Sequence, residues 1–493
     1  MKIIFLEIII YLSLILNPSL SEVTEIIEKL EFDKIRLDLP TYNATQISSQ
    51  IGGAGNKVWV TFYRGVFDIT DFVKRHPGGE RIMNAAGSSV SPFWQFYQLH
   101  YRIDVLETLA KFRIGNLETP LDETPNMNYF DKEPPRNPTV ITRTSTPFCG
   151  ETPPALLPQN FYTPNDLFYV RNHLPVPTVD TSAYRLTIQG VGIPLSNFSL
   201  SLDDVKQKFA KIRMPVTLQC GGNRRSQMGE VKPTPGIGWT GGAIGNAVWG
   251  GASLRDVLTS AGFNWTNYTE TFRQNKLHIQ FEGLDCDPFG DCYGASVPLH
   301  FLLDATYTPL LVYEMNNASI PPDHGFPLRA LFPGLIGARS VKWVSKILIS
   351  EEESPSPWQR IDYKIFAPSV NEDNVNFNSA SAIYDAPVNS YICSHKNGEV
   401  VERGYAFAGR GRGIVRVELS FDNGDNWQVV KLTRQDSNYS WTQWEIEVNV
   451  TSAMDVWVKA VDTGYNQQPE DLKHIWNYRG LVVNAYHKIK LNI

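Results

Sequence analysis

Over the last third of the chain, apolar and polar residues alternate. Val415, Val417, Leu419 and Phe421 are interleaved with Arg416, Glu418, Ser420 and Asp422, and Trp444, Ile446, Val448 and Val450 keep the same period. A period of two is that of a strand with one buried face. Asp422-Asn423-Gly424-Asp425-Asn426 offers a tight hairpin turn, from which Trp427-Gln428-Val429 starts a return strand. Repetition of this pattern over residues 355–493 predicts an all-β, immunoglobulin-like sandwich. Nearer the start, residues 58–62 and 66–69 read as two short strands around Gly65, and residues 70–75 as a short helix with Thr70 as its N-cap. These elements predict a compact α+β unit over residues 37–116. Residues 139–350 are mixed α+β, with short strands, glycine and proline turns, and two clear helices at 203–209 and 254–261, the second capped by Ser253. Residues 117–138 are proline-rich and acidic, ending in Pro134-Pro135-Arg136-Asn137-Pro138, and read as a semi-rigid linker.

Residues 3–16 are apolar except at Glu7, Tyr11 and Ser13, too short and interrupted for a membrane span. Residues 1–21 therefore read as a signal-peptide core or a sorting segment, without the Arg-rich pattern of a mitochondrial presequence. The length of 493 residues suggests roughly two to four domains. A hydrophobic share of 42% supports packed cores and excludes extended disorder. The net charge of −6, with no long basic run, disfavours nucleic acid and weakly suits a basic protein partner. Asn-x-Ser/Thr sequences at Asn43, Asn197, Asn264, Asn267, Asn317, Asn438 and Asn449 decide nothing about secretion. The five cysteines make neither a disulfide framework nor a CxxC pair. Cys286 and Cys292 could close a small loop; two free thiols is the preferred reading.

In the first unit, His76 stands before Pro77-Gly78-Gly79, a rigid turn, and His100 follows the aromatic run Phe93-Trp94-Gln95-Phe96-Tyr97. Two neutral imidazoles across an apolar pocket suit a six-coordinate heme iron, which passes electrons because no open position remains for oxygen. From Tyr42 to Ile114 the unit resembles cytochrome b5.

In the central region an apolar run, 214–218, delivers Cys220 onto Gly221-Gly222-Asn223-Arg224-Arg225. Glycines permit a tight bend, and arginines favour a thiolate and attract an anion. Further polar clusters fall on expected loops: Tyr169-Val170-Arg171-Asn172-His173, Trp239 with Gly241-Gly242, Glu282-Gly283-Leu284-Asp285, Asp323-His324-Gly325 with Arg329, and Arg339-Ser340-Val341-Lys342. Each alone is as well explained by a solvated loop or a structural turn. Together they suit a large phosphate-bearing cofactor held by scattered loops. No GxGxxG or Walker sequence is present, which disfavours nicotinamide and nucleoside triphosphates.

These motifs, in this order and behind a b5 unit, closely resemble the animal-type sulfite oxidase family. The resemblance implies molybdopterin with Cys220 as the protein sulfur on molybdenum, and heme b on His76 and His100. It implies that Arg171, Arg225, Arg479 and Trp239 shape an oxyanion pocket and that Tyr363 assists proton and electron movement beside the metal. Tyr169, Val170, Arg171, Asn172, His173, Asp285, His324, Arg329, Ser340, Val341 and Lys342 would contact the pterin and its phosphate. It further implies sulfite oxidation, cytochrome c as electron acceptor, a homodimer through the C-terminal domain, and the mitochondrial intermembrane space; the short hydrophobic leader points instead to the secretory pathway. The family's usual Cys-Ala-Gly-Asn is here Cys220-Gly221-Gly222-Asn223, a change expected to be tolerated. The alternatives are a nitrate reductase-like molybdoenzyme, which would carry its b5 unit after these domains with a flavin unit beyond, and a heme electron carrier on a non-catalytic scaffold.

Overall fold

The computed structural model describes residues 20–53, 55–119, 129–193, 195–265, 277–304, 307–394, 400–448 and 453–491. The apolar leader, the middle of the linker, Val450 and the sequons at Asn267 and Asn449 lie outside the described residues. The chain forms two compact units. The first runs up to Lys132 and takes in Arg143–Phe148 and Glu372–Asn376; the second comprises Glu133–Thr142, Cys149–Asn371 and Phe377–Ile493.

In the first unit the strands β1 (Thr41–Tyr42), β2 (Trp59–Phe62), β3 (Gly65–Asp68) and β4 (Arg113–Leu117) form a sheet in the order β1-β4-β3-β2. The predicted helix at 70–75 is only a 3-10 turn, Val73–Arg75, and Thr70 does not cap it. The Thr70 hydroxyl instead donates to Asp68 and accepts from the Val58 amide (2.9 Å), joining the β2–β3 hairpin to the turn. The unit also begins before residue 37. Helix α1 (Leu20–Lys29) carries Val23, Ile26 and Ile27 at helical spacing, and these pack with Phe32 against Val58, Val60, Phe62 and Phe67.

Besides the C-terminal strands, the second unit contains one antiparallel and one mixed five-stranded sheet. One holds β5 (Lys211–Gln219), β6 (Ile244–Ser253), β7 (Leu310–Met315) and β8 (Ala318–Ser319) in that order, with β9 (Arg329–Leu331) also on β7. In the other, β10 (His278–Cys286) lies between the edge strand β11 (Cys292–Pro298) and the central strand β12 (Val344–Ser350). Strand β5 occupies the edge of its sheet, the position in which Pro215 is tolerated within a strand. Its Val216 and Leu218 pack with Trp249, Leu310 and Val312 in the core beneath the site. The two predicted helices are present, one residue shorter at each C-terminus: Leu202–Lys208, capped by Ser201, and Leu254–Ser260, capped by Ser253.

The C-terminal residues form a sandwich of two four-stranded antiparallel sheets. The alternation at 415–421 is broken by a register shift between Ile414 and Arg416, which leaves Val415 exposed while Ile414, Val417 and Leu419 face the core.

Two readings are corrected here. The end of the linker is docked, because Arg136 pairs with Asp323 (2.8 Å) and Glu133 accepts from the Val176 amide (2.9 Å). Cys286 and Cys292 are not free thiols but a disulfide. They stand opposite each other where β10 and β11 meet, a pairing that their spacing in sequence left open.

Candidate heme and active sites

His76 and His100 face each other in the first unit with near-parallel rings, centroids 6.2 Å apart. His76 Nδ1 donates to the Gly79 carbonyl (3.1 Å) and His100 Nδ1 to the Tyr97 carbonyl (2.8 Å). A carbonyl accepts only, so both Nδ1 atoms carry the proton and both Nε2 lone pairs are free for a metal. Burial, aided by the facing His100, holds His76 well below its usual range, at about 4, and burial lowers His100 too. Both rings are therefore neutral ligands near pH 7. Gly78 is required by contact, since a Cβ there would lie 2.9 Å from the His76 ring. Phe72 packs edge-on to His76 and Trp94 stacks on His100, with centroids 5.8 and 5.3 Å apart, and both aromatics belong to the apolar core of the unit. This pocket fits a b-type heme held by His76 and His100.

In the second unit, strand β5 ends at a cavity of about 580 Å³ including its mouth. Cys220 lies in its wall, pinned by its amide to the Ala243 carbonyl (2.9 Å), while the Gly222 amide reaches the sulfur (3.4 Å). Val482 donates to the Gly221 carbonyl (2.7 Å), and Asn223 joins Ala243 to the Tyr405 hydroxyl, so the sandwich helps hold the cysteine loop. Burial raises the Cys220 thiol, opposed by the Gly222 amide, Arg225 and Arg171. Coordination to a metal would deprotonate it outright.

The two adjacent arginines part company. Arg224 takes the left-handed conformation (φ 68°), which sends its side chain into the sandwich, where it donates to Asn389, Ser390 and Tyr486. Arg225 turns toward Cys220 and donates to the carbonyls of Ile237 (2.9 Å) and Arg479 (3.2 Å). Its guanidinium lies against Gly222 and Gly236 and its stem against Gly480, at each of which a Cβ would come within 3.0 Å of the side chain. Burial lowers Arg225 to about 10, so it remains a cation near pH 7. Burial also acts to lower Arg171, but Cys149, Tyr363, Cys220 and Asp362 outweigh it and hold it raised. Arg171 lines the cavity and donates to Cys149 and the Asn172 carbonyl. Arg479 is held on Asp362 (2.5 Å), next to Tyr363. The Tyr363 hydroxyl is 3.0 Å from His173 Nε2, and burial keeps this phenol protonated.

Tyr169, His173, Asp285, His324, Arg329, Ser340 and Lys342 line the cavity with Cys220, Arg171 and Tyr363. Val170, Asn172, Val341, Trp239, Arg225 and Arg479 are not among its lining residues. Trp239 is fully buried beside Cys220 in the core, and its indole N–H has no partner. Asp285 Oδ1 is likewise buried without a partner. Burial drives Asp285 up and its neighbour Lys342 down, which brings both toward neutrality. Burial lowers His324 to about 4, and its Nε2 donates to the Asn165 carbonyl (2.9 Å). One soft sulfur, orphaned polar atoms and several cationic donors around one cavity fit a molybdopterin.

Sequence reasoning missed two residues here. Asp323 organises the floor, accepting from Arg136 (2.8 Å) and Asn172 (2.9 Å) while its carbonyl accepts from Lys342 (2.8 Å). Its place beside His324 was a visible signal. Tyr293 lines the cavity and stacks on His173 with centroids 4.8 Å apart; nothing in its sequence surroundings marks it.

Against known proteins, residues 45–118 match the cytochrome b5-like heme/steroid binding domain, 173–358 the oxidoreductase molybdopterin binding domain, and 374–493 the Mo-co oxidoreductase dimerisation domain. The chain is 44% identical to sulfite oxidase of Gallus gallus over 88% of its own length and 96% of that protein's. It is 42% identical to the mitochondrial sulfite oxidase of Drosophila melanogaster, covering 93% and 82% of the two chains. A nitrate reductase of Solanum lycopersicum is 32% identical over 76% of this chain but only 44% of that enzyme. Among solved structures, the sulfane dehydrogenase SoxCD of Paracoccus pantotrophus shares the fold, with TM-score 0.60 and 23% identity over 76% of this chain and 95% of that one.

Proposed function

This chain belongs to the sulfite oxidase family, and from that premise we propose that it oxidises sulfite to sulfate and delivers the electrons one at a time to a cytochrome c. The observation that carries the reading is the buried sulfur of Cys220 in the wall of a cavity that Arg171, Arg329 and Tyr363 also line. Cys220 would hold molybdenum together with a pterin, and His76 and His100 would hold a heme; when bound, these groups would supply oxygen transfer, two-electron uptake and one-electron release. The protein's own residues do the rest. Arg225 is a buried cation whose partners are carbonyls, so an anion beside it gains charge-assisted hydrogen bonds that carbonyl dipoles do not replace. Arg171 adds a second cation across the cysteine, and their charge favours the oxyanion as substrate and as product. Tyr363, protonated and bonded to His173, holds a proton at its hydroxyl within the cavity. Lys342, Arg329 and His324 line the cavity and would hold the pterin's polar groups and phosphate.

The C-terminal sandwich makes the homodimer. The compartment is mitochondrial, and within it the intermembrane space suits a donor to cytochrome c. Among the described residues no helix is long and apolar enough to cross a membrane. The testing experiment is sulfite-dependent reduction of cytochrome c by purified protein beside Cys220→Ser, with molybdenum and heme quantified. Activity in the parent, lost in a variant that keeps its heme, supports the reading. Full cofactor loading with nitrate turned over and sulfite inert would overturn it in favour of the nitrate reductase-like alternative.

A further inference from the structure

The disulfide Cys286–Cys292 adjoins the cavity on both of its strands. Asp285 immediately precedes one cysteine, Tyr293 immediately follows the other, and both line the cavity. Between them the β10–β11 ladder is interrupted. Glu282 pairs with Gly294 and Cys286 with Cys292, so Gly283, Leu284 and Asp285 together stand opposite Tyr293 alone. Such a bulge re-aims a side chain. Here it folds Asp285 back over Gly283, where a Cβ would lie 2.2 Å from the carboxylate, and leaves Asp285 Oδ1 unpartnered. The bulge is tied on the other side by the Leu284 amide to Trp343 (3.0 Å) and the pairing of Gly283 with Val344. Beyond the disulfide the exposed tip has its own support, the Asp287 carboxylate accepting from the Phe289 and Asp291 amides (2.9 Å each). The disulfide thus closes the bulge covalently without being needed for the turn. It lies in a half-exposed position, within reach of solvent.

We propose that Cys286 and Cys292 are positioning residues whose disulfide clasps Asp285 and Tyr293 against the cofactor, so that a dithiol reductant opens the clasp and loosens cofactor retention. This rests on the reading of the cavity as a molybdopterin site. In opening, one thiolate of the dithiol attacks either cysteine sulfur, and the S–S bond breaks toward the other cysteine. The second thiol then closes on the mixed disulfide. Two electrons and two protons pass to Cys286 and Cys292, and the dithiol leaves as its cyclic disulfide.

The test uses the full-length holoenzyme, oxidised or treated with a dithiol, and the double variant Cys286→Ser/Cys292→Ser. Free thiols are counted by alkylation and mass, molybdenum loss is followed on dialysis, and amide exchange is compared between residues 283–286 and 293 and the neighbouring strand β12. The reduced parent and the variant should lose molybdenum several-fold faster than the oxidised parent. Exchange should quicken at the bulge but not at β12, with an unchanged melting temperature and no response of the variant to the dithiol. Identical retention and exchange in all states would overturn the clasp, as would a uniform loss of protection with a lowered melting temperature. Purified protein that never carries molybdenum would refute the cofactor reading instead, while exchange at the bulge would still decide the clasp.

Discussion

Gly221 and Gly222 are neighbours with opposite tolerances. A Cβ at Gly221 would meet Ile336 and Tyr363 at 3.4–3.6 Å, ordinary contact, whereas at Gly222 it would meet the Arg225 guanidinium at 2.8–2.9 Å. Gly221→Ala should therefore leave sulfite KM unchanged and shift stability by less than about 1 kcal/mol, measured by urea unfolding. Gly222→Ala should displace the Arg225 guanidinium, the proposed anion-binding group. Loss of a hydrogen bond to a charged group costs about 1.5–3 kcal/mol, so KM for sulfite should rise roughly tenfold or more with heme content intact. The same contact logic applies at Gly78, where Gly78→Ala should displace His76 and lower heme occupancy, read from the heme absorbance per chain.

At the scale of elements, the floor of the cavity is held by Arg136, from a stretch that composition marked as linker. Arg136→Ala would leave Asp323 buried beside Asn172 without its cation. Removing one partner of a buried pair costs about 3–5 kcal/mol, and urea unfolding of the variant should show a loss of that order, discounted for the partial exposure of Arg136. His324, on the same segment, gives stability a pH dependence of known sign. Its folded pKa is depressed to about 4 from an ordinary 6.5, so between these values the unfolded chain binds the extra proton. Its contribution is present above pH 6.5 and is lost as pH falls toward 4. The full effect is about 3 kcal/mol, and His324→Gln should flatten the slope of unfolding free energy across that window.

At the scale of the whole molecule, heme and cavity belong to separate units, and their functions should separate by mutation. His76→Ala with His100→Ala should abolish heme binding and cytochrome c reduction. Molybdenum content and sulfite oxidation with a dye that accepts electrons directly at the second unit should persist; loss of both activities together would contradict the division of labour. The sandwich is tied to the catalytic part through Arg224, Asn223 and Val482, and so supports the cysteine loop besides supplying the dimer surface.

Much of this was legible in the chain itself. The period-two alternation determined the sandwich because a half-buried strand imposes that period, and His76 before Pro77-Gly78-Gly79 with a second histidine after an aromatic run pointed to the pair of imidazoles that the structure brings face to face, because ligand type and rigid turn are local properties. Cys220 among glycines and arginines was legible for the same reason. Only the tertiary structure parted two adjacent arginines, since one left-handed backbone residue turns Arg224 into the sandwich and leaves Arg225 outside it. Only it drew Arg136 out of the linker, placed Tyr293 on His173, put α1 into the first core and paired Cys286 with Cys292. Each of these depends on contacts between elements far apart in sequence, or on strand register, and local pattern carries neither.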